Sequence, residues 1–192
     1  MIIVGDIPTL TEEGSMETTT KIWALAMAVG LTAGWIDWRT RRIPNWLTVT
    51  GVVLGIALHT LHMGPFGLAM ALQGMFLALI CLLPMVLLRA MGAGDWKLMA
   101  ALGAILGPVM MLFVLAGAIF LSGIMAIVMI VRAKRVKETF INVFVLVQGF
   151  LSFGLREFPD ISLDNPDLLK LPFGVAAALA TVLCFLATRW KW

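Results

Sequence analysis

The sequence predicts an all-α, polytopic membrane protein with about six transmembrane helices, and three observations carry that expectation. Of the 192 residues, 61% are apolar and only 13% are charged, where a soluble domain has roughly half and a quarter. The mean hydropathy is +1.00. The apolar residues also gather into runs near the roughly 20 residues that a helix needs to cross a bilayer. A water-soluble domain of this length has too small an interior to hide so much apolar surface.

The elements follow in chain order. A first span is expected at 22–36, closed by Trp35, Ile36 and Asp37. The second, 46–62, follows Pro44, which suits a first helical turn because no N–H is needed there. The third covers 66–88. The fourth, 96–106, is short and stops at Gly107-Pro108, and the fifth, 109–131, resumes after that break. The sixth covers 172–188. Residues 1–21 then form an extracytoplasmic tail, 22–188 a transmembrane domain and 189–192 a C-terminal tail. Asp6, Glu12, Glu13 and Glu17 precede the first basic residue, Lys21, which is the wrong charge order for a secretory signal. A start at Met16 would remove most of that acidic stretch.

Trp23, Trp35, Trp38, Trp46, Trp96, Trp190 and Trp192 all fall near expected span ends, where an indole keeps its ring in lipid and its N–H in water. Six spans bring Arg39, Arg41, Arg42, Arg89, Arg132, Lys134, Arg135 and Lys137 to one side, which is therefore expected to be cytoplasmic. Arg189 and Lys191 fall on the other side, a mild exception. Residues 140–155 are apolar but contain Asn142, Gln148 and Ser152, and read as an interfacial or re-entrant helix. Residues 156–170, with Pro159 and Pro166, read as a loop. The pairs Gly30/Gly34, Gly51/Gly55 and Gly103/Gly107 are expected at close helix contacts in lipid.

Several function classes find little support. The net charge is +3 and the pI about 9.2, but the basic residues flank apolar runs, so no nucleic acid is expected. Cys81 and Cys184 lie inside apolar runs as small hydrophobes, and no Cys-x-x-Cys suggests zinc. His59 and His62 share a helical face but have no third ligand and are expected at the outer membrane edge, so no metal is assigned. Ser122 and Ser152 have no His on their side to activate them.

Two aspartates remain. Asp37 closes the first span and Asp95 opens the fourth, and the topology returns both to the cytoplasmic border. An ionisable residue near membrane depth is costly and starts as a functional candidate. Two neighbouring carboxylates share a proton, which supplies one base and one acid near neutral pH, enough to activate water and protonate a leaving amide nitrogen. Plainer roles compete. Asp95 can N-cap the fourth span, and Asp37 can snorkel beside Arg39. Gly92 and Gly94 give the backbone before Asp95 unusual freedom and room for a close-lying chain.

The local sequences are more specific together than apart. The run Asp37-Trp38-Arg39-Thr40-Arg41-Arg42-Ile43-Pro44-Asn45 resembles the Asp-x-Arg-x-x-x-Ile-Pro-Asn signature of the type IV prepilin peptidase family, the Gly-x-Gly-Asp membrane aspartyl peptidases. Gly92-Ala93-Gly94-Asp95-Trp96-Lys97 resembles its second signature, and Lys170-Leu171-Pro172-Phe173-Gly174 its Pro-Phe/Tyr-Gly element. The three occur in the family's order over roughly residues 22–188. The resemblance implies an aspartic endopeptidase, without cofactor, that cuts the basic leader from a prepilin beside the start of the prepilin's apolar helix. It implies a bacterial inner-membrane location with the site facing the cytoplasm. Asp37 and Asp95 take the catalytic roles, supported by Arg39, Pro44, Asn45, Gly92, Gly94, Lys97, Pro172 and Gly174. The chain lacks the paired Cys-x-x-Cys part that long members carry for N-methylation. It is similar to the short form found in Flp-type, or tight-adherence, pilus systems. The rival readings are a small proton-coupled transporter and a non-catalytic pilus-assembly component. A transporter site is expected near the bilayer midplane, whereas both aspartates stand at span ends.

Overall fold

A computed structural model describes residues 9–87, 91–133, 141 and 172–190. Among the described residues the main elements are the helices α1 (Thr9–Thr40), α2 (Asn45–Leu87), α3 (Ala93–Arg132) and α4 (Phe173–Trp190), and no strand occurs there. The expected segments 140–155, apart from Ile141, and 156–170, with the basic residues Arg89, Lys134, Arg135 and Lys137, lie outside those residues.

α2 and α3 are longer than one bilayer crossing needs, and each contains a break. Gly64 has φ 60 and ψ −141 beside Pro65, and Gly107 has φ 74 and ψ 175 beside Pro108. Positive φ costs a glycine little, and the following proline removes a helical donor. At Gly64 the chain reverses. A Cβ on Gly67 would collide with the His59 carbonyl, which an unbroken helix would hold about 12 Å away. The spans expected at 46–62 and, as far as Leu87, at 66–88 are thus the two arms of α2, and 96–106 and 109–131 are the arms of α3. Counted as whole helices, α2, α3 and α4 are long and apolar enough to cross a membrane among the described residues, against the expected six or so. α1 begins at Thr9, well before its apolar stretch, and that stretch is short and bracketed by Lys21 and Asp37.

The first arm of α3 is the centre of the bundle, with Leu98 through Gly107 all buried. It runs parallel to the first arm of α2, since Gly51 faces Ala101 and Gly55 faces Ala104. It runs antiparallel to the second arm, where Gly74 touches the Gly103 backbone and the Trp96 indole N–H donates to the Leu79 carbonyl at 2.9 Å. Small residues let these backbones meet where side chains would hold them apart. α4 lies antiparallel on α1, with Gly30 beside Thr181 and Gly34 beside Ala178, and it meets the second arm of α3 at Gly117 and Ala180. Leu82, Leu98, Met99, Leu102, Ile105, Met111 and Val114 fill the space between them.

One histidine departs from its expected position. His59 was expected at the outer interface but is only 3% exposed, while His62 is exposed. The His59 Nε2 lies 2.9 Å from the Ile105 carbonyl oxygen, which can only accept, so Nε2 carries the proton. The break at Gly107 removes that carbonyl's usual helical partner. The imidazole therefore caps the first arm of α3, where apolar surroundings make an unpaired carbonyl expensive.

Candidate active site

Four helix ends converge on the site: the end of α1 and the starts of α2, α3 and α4. Asp37 lies in the last turn of α1 and is 5% exposed. Its Oδ2 accepts the backbone N–H of Gly174 at 2.9 Å. Pro172 precedes α4, and its carbonyl accepts the Val175 N–H at 3.1 Å. The Gly174 amide at the start of α4 thus points toward a carboxylate, the arrangement a helix N-terminus favours. A Cβ on Gly174 would stand 2.9 Å from the Asp37 Cβ and 3.0 Å from its Oδ2, so the contact depends on glycine.

Burial removes the snorkelling reading of Asp37. Arg39 does not pair with it; its guanidinium lies 4.6 Å from the Trp35 ring centre, a cation–π contact. Arg41 is the arginine whose charge acts on Asp37. Its φ of 53 ends the helix, with the Arg41 N–H closing on the Asp37 carbonyl at 2.9 Å. The Thr40 hydroxyl reaches the Ile36 carbonyl at 2.9 Å or the Arg42 carbonyl at 3.0 Å, which steadies the turn. Chain geometry at this end is therefore fixed by backbone bonds around Asp37.

Asp95 is partly buried in the first turn of α3. The N-cap position belongs to Gly92, with φ −69 and ψ 142, and the Gly92 carbonyl accepts the Trp96 N–H at 3.2 Å. Asp95 thus sits inside the helix rather than at its cap. Gly92 lies close to it, since a Cβ there would stand 3.3 Å from Asp95 Oδ2. The two aspartates are within coulombic reach of each other.

The loop between α1 and α2 packs over the start of α3. A Cβ on Gly94 would meet the Ile43 Cβ at 3.4 Å and its backbone N and O at 3.6 Å. Pro44 opens α2, and its carbonyl accepts the Leu47 N–H at 3.2 Å. Lys97 donates from Nζ to the Asn45 Oδ1 at 3.1 Å. This bond joins the segment that follows Asp37 to the helix that carries Asp95. All ten residues singled out in the sequence lie in these four ends, although Arg39 faces the surface. Trp96 has a role the sequence did not signal. Its N–H was expected in interfacial water, and it is instead tied to the Leu79 carbonyl. The run of two glycines and an aspartate before it marks a helix start, but nothing in it names that acceptor.

Among the described residues no group of three His, Cys, Asp or Glu side chains could hold a metal ion. No curated protein and no solved structure gives a match to the chain. The model of the type IV leader peptidase family does match, over residues 24–127. That stretch is more than half of the chain and holds both Asp37–Asn45 and Gly92–Lys97, while Gly174 lies beyond it. The chain belongs to the type IV leader peptidase family.

Proposed function

We propose that the chain is an aspartic endopeptidase that removes the leader of type IV or Flp-type prepilins at the cytoplasmic border of a bacterial inner membrane, with Asp37 and Asp95 as its catalytic pair. In this reading each arm of α2 and α3 crosses the membrane, as do α1 and α4, and the four helix ends of the site face the cytoplasm. The observation that carries the proposal is the approach of α1 and α3, which brings two carboxylates into coulombic reach within a peptidase family.

The scissile peptide bond lies between the aspartates. The ionised member takes a proton from water while the water oxygen attacks the carbonyl carbon. The protonated member donates to the carbonyl oxygen. As the tetrahedral intermediate collapses, one of its hydroxyls returns its proton to the ionised carboxylate, the C–N bond breaks and the departing amine takes a proton from the protonated one. The proton shared by two close carboxylates supplies both roles, and no cofactor enters. The Gly174 N–H holds Oδ2 of Asp37 and so orients its carboxylate. Arg39, Pro44, Asn45, Gly92, Gly94, Lys97 and Pro172 shape the ends that carry the pair.

The test is cleavage of a prepilin by the purified chain in proteoliposomes, read by the mass of the released leader. Release of the intact leader is the expected result. An uncleaved prepilin together with proton-coupled solute uptake by the same vesicles would replace the peptidase reading with a transporter.

A further inference from the structure

An open groove of about 320 Å³ runs between α1 and α4. Leu31, Trp35 and Trp38 form one wall, and Val175 and Leu179 form the other. The two indoles stand out from α1, 61% and 63% exposed. The floor is the contact of Gly34 with Ala178, where the helices approach closely. We infer that this groove seats the apolar helix of the leader-bearing substrate and delivers its end to the aspartates. The inference rests on the leader-peptidase reading and adds to it the place where the substrate is held.

The groove's position supports this occupant. Trp38 follows Asp37 in the chain, and Val175 follows Gly174, whose N–H holds Asp37. The contact line of the two helices runs from Gly34 and Ala178 to Asp37 and Gly174, one turn on, so the floor of the groove leads to the buried Asp37. From there the groove runs back along α1 to Leu31, about 10 Å or two helical turns. Its lining follows helical spacing, at 31, 35 and 38 on α1 and at 175 and 179 on α4, so the walls form two ridges. A furrow between two antiparallel helices with small residues in its floor accepts the ridge of a third helix. The approach over Asp95 is more encumbered, since Ile43 packs on Gly94 and Lys97 is tied to Asn45. The α1–α4 side is therefore the one along which a membrane-embedded helix approaches Asp37.

The experiment uses the full chain in proteoliposomes and two substrates, one with a basic leader followed by an apolar helix and one cut off just after the scissile bond. Leu31→Trp and Leu179→Trp fill the groove without touching the aspartates. Each should raise KM for the helix-bearing substrate about tenfold, the size of one lost packing contact, with kcat and cleavage of the short substrate unchanged. Ile127→Trp, at an exposed position away from the groove, should change neither. In an Asp95→Asn chain, a benzophenone side chain at position 179 should crosslink the helix-bearing substrate. Wild-type kinetics from both groove variants, or crosslinks to lipid alone, would overturn the groove while leaving the peptidase intact. Failure of the unmodified chain to cut either substrate would overturn the peptidase reading itself.

Discussion

The backbone N–H of Gly174 donates to the Asp37 carboxylate at 2.9 Å across 137 positions of the chain. Two signature elements from opposite ends of the sequence thus meet in a single bond. The bond orients one oxygen of a buried acid and fixes the start of α4 against the end of α1. It also makes residue 174 sensitive to the smallest possible addition.

Gly174→Ala places a methyl 2.9 Å from the Asp37 Cβ, closer than real contacts allow. Either the carboxylate or the helix start must move. The expected cost is about 1–3 kcal/mol of stability and a fall in kcat/KM of about tenfold to a hundredfold. Thermal unfolding in detergent and cleavage per folded molecule measure the two separately. Unchanged cleavage would show that the bond does not position Asp37 for the reaction.

Asp37→Asn and Asp95→Asn keep the size of each side chain and remove its ability to exchange a proton. Asparagine at position 37 can still accept the Gly174 N–H. Each variant should insert and fold, yet lose about a thousandfold or more in cleavage, the scale of an essential acid or base. Mass analysis of a co-expressed prepilin reads the outcome. A near-normal rate from either variant would rule out the pair.

The Lys97–Asn45 bond is exposed, so its removal should cost stability about 1 kcal/mol or less. Its effect on cleavage should be larger, because it ties the loop after Asp37 to the helix bearing Asp95. Lys97→Met should lower kcat/KM about threefold to tenfold, scaled to a modest misplacement of the pair. Asn45→Asp, which keeps an acceptor facing the amine, should stay near wild type. A double-mutant cycle of Lys97→Met with Asn45→Ala checks this, and additive losses would deny the coupling.

His59→Leu leaves the Ile105 carbonyl without its donor inside the bundle. The expected loss is about 1–3 kcal/mol, with cleavage per folded molecule unchanged. His59→Gln, which keeps a donor of similar reach, should recover part of the loss. Equal melting of the leucine variant and the wild type would show that the carbonyl finds another partner.

The sequence made the helical class legible through composition and the break at Gly107 legible because glycine before proline stops a helix, while the break at Gly64 fell in the gap between the expected spans 46–62 and 66–88. It did not show how tight those breaks are, since a tight reversal and a loop carry the same punctuation. Topology put Asp37, Asp95 and Gly174 at one expected membrane border, but neither the meeting of the two aspartates nor the partner of each polar atom was legible in the sequence. His59 and Trp96 were misjudged for one reason. A polar atom near an expected membrane edge was assigned to water, when a carbonyl freed by a helix break, or one on a neighbouring helix, satisfied it instead. Arg39 beside Asp37 invited an ion pair, but a helix points neighbouring residues in different directions, and Trp35 took the guanidinium.

Gly74 and Gly103 meet backbone to backbone, and Gly103 is about 12 Å along α3 from Asp95. In a saturation mutagenesis screen scored only by pilus assembly, these glycines should look as indispensable as the aspartates. Their failure would arise through abundance, as chains that cannot bring α2 and α3 together are degraded. Normalising each variant's output to the amount of protein in the membrane separates the two groups, and only the aspartates should remain silent after that correction.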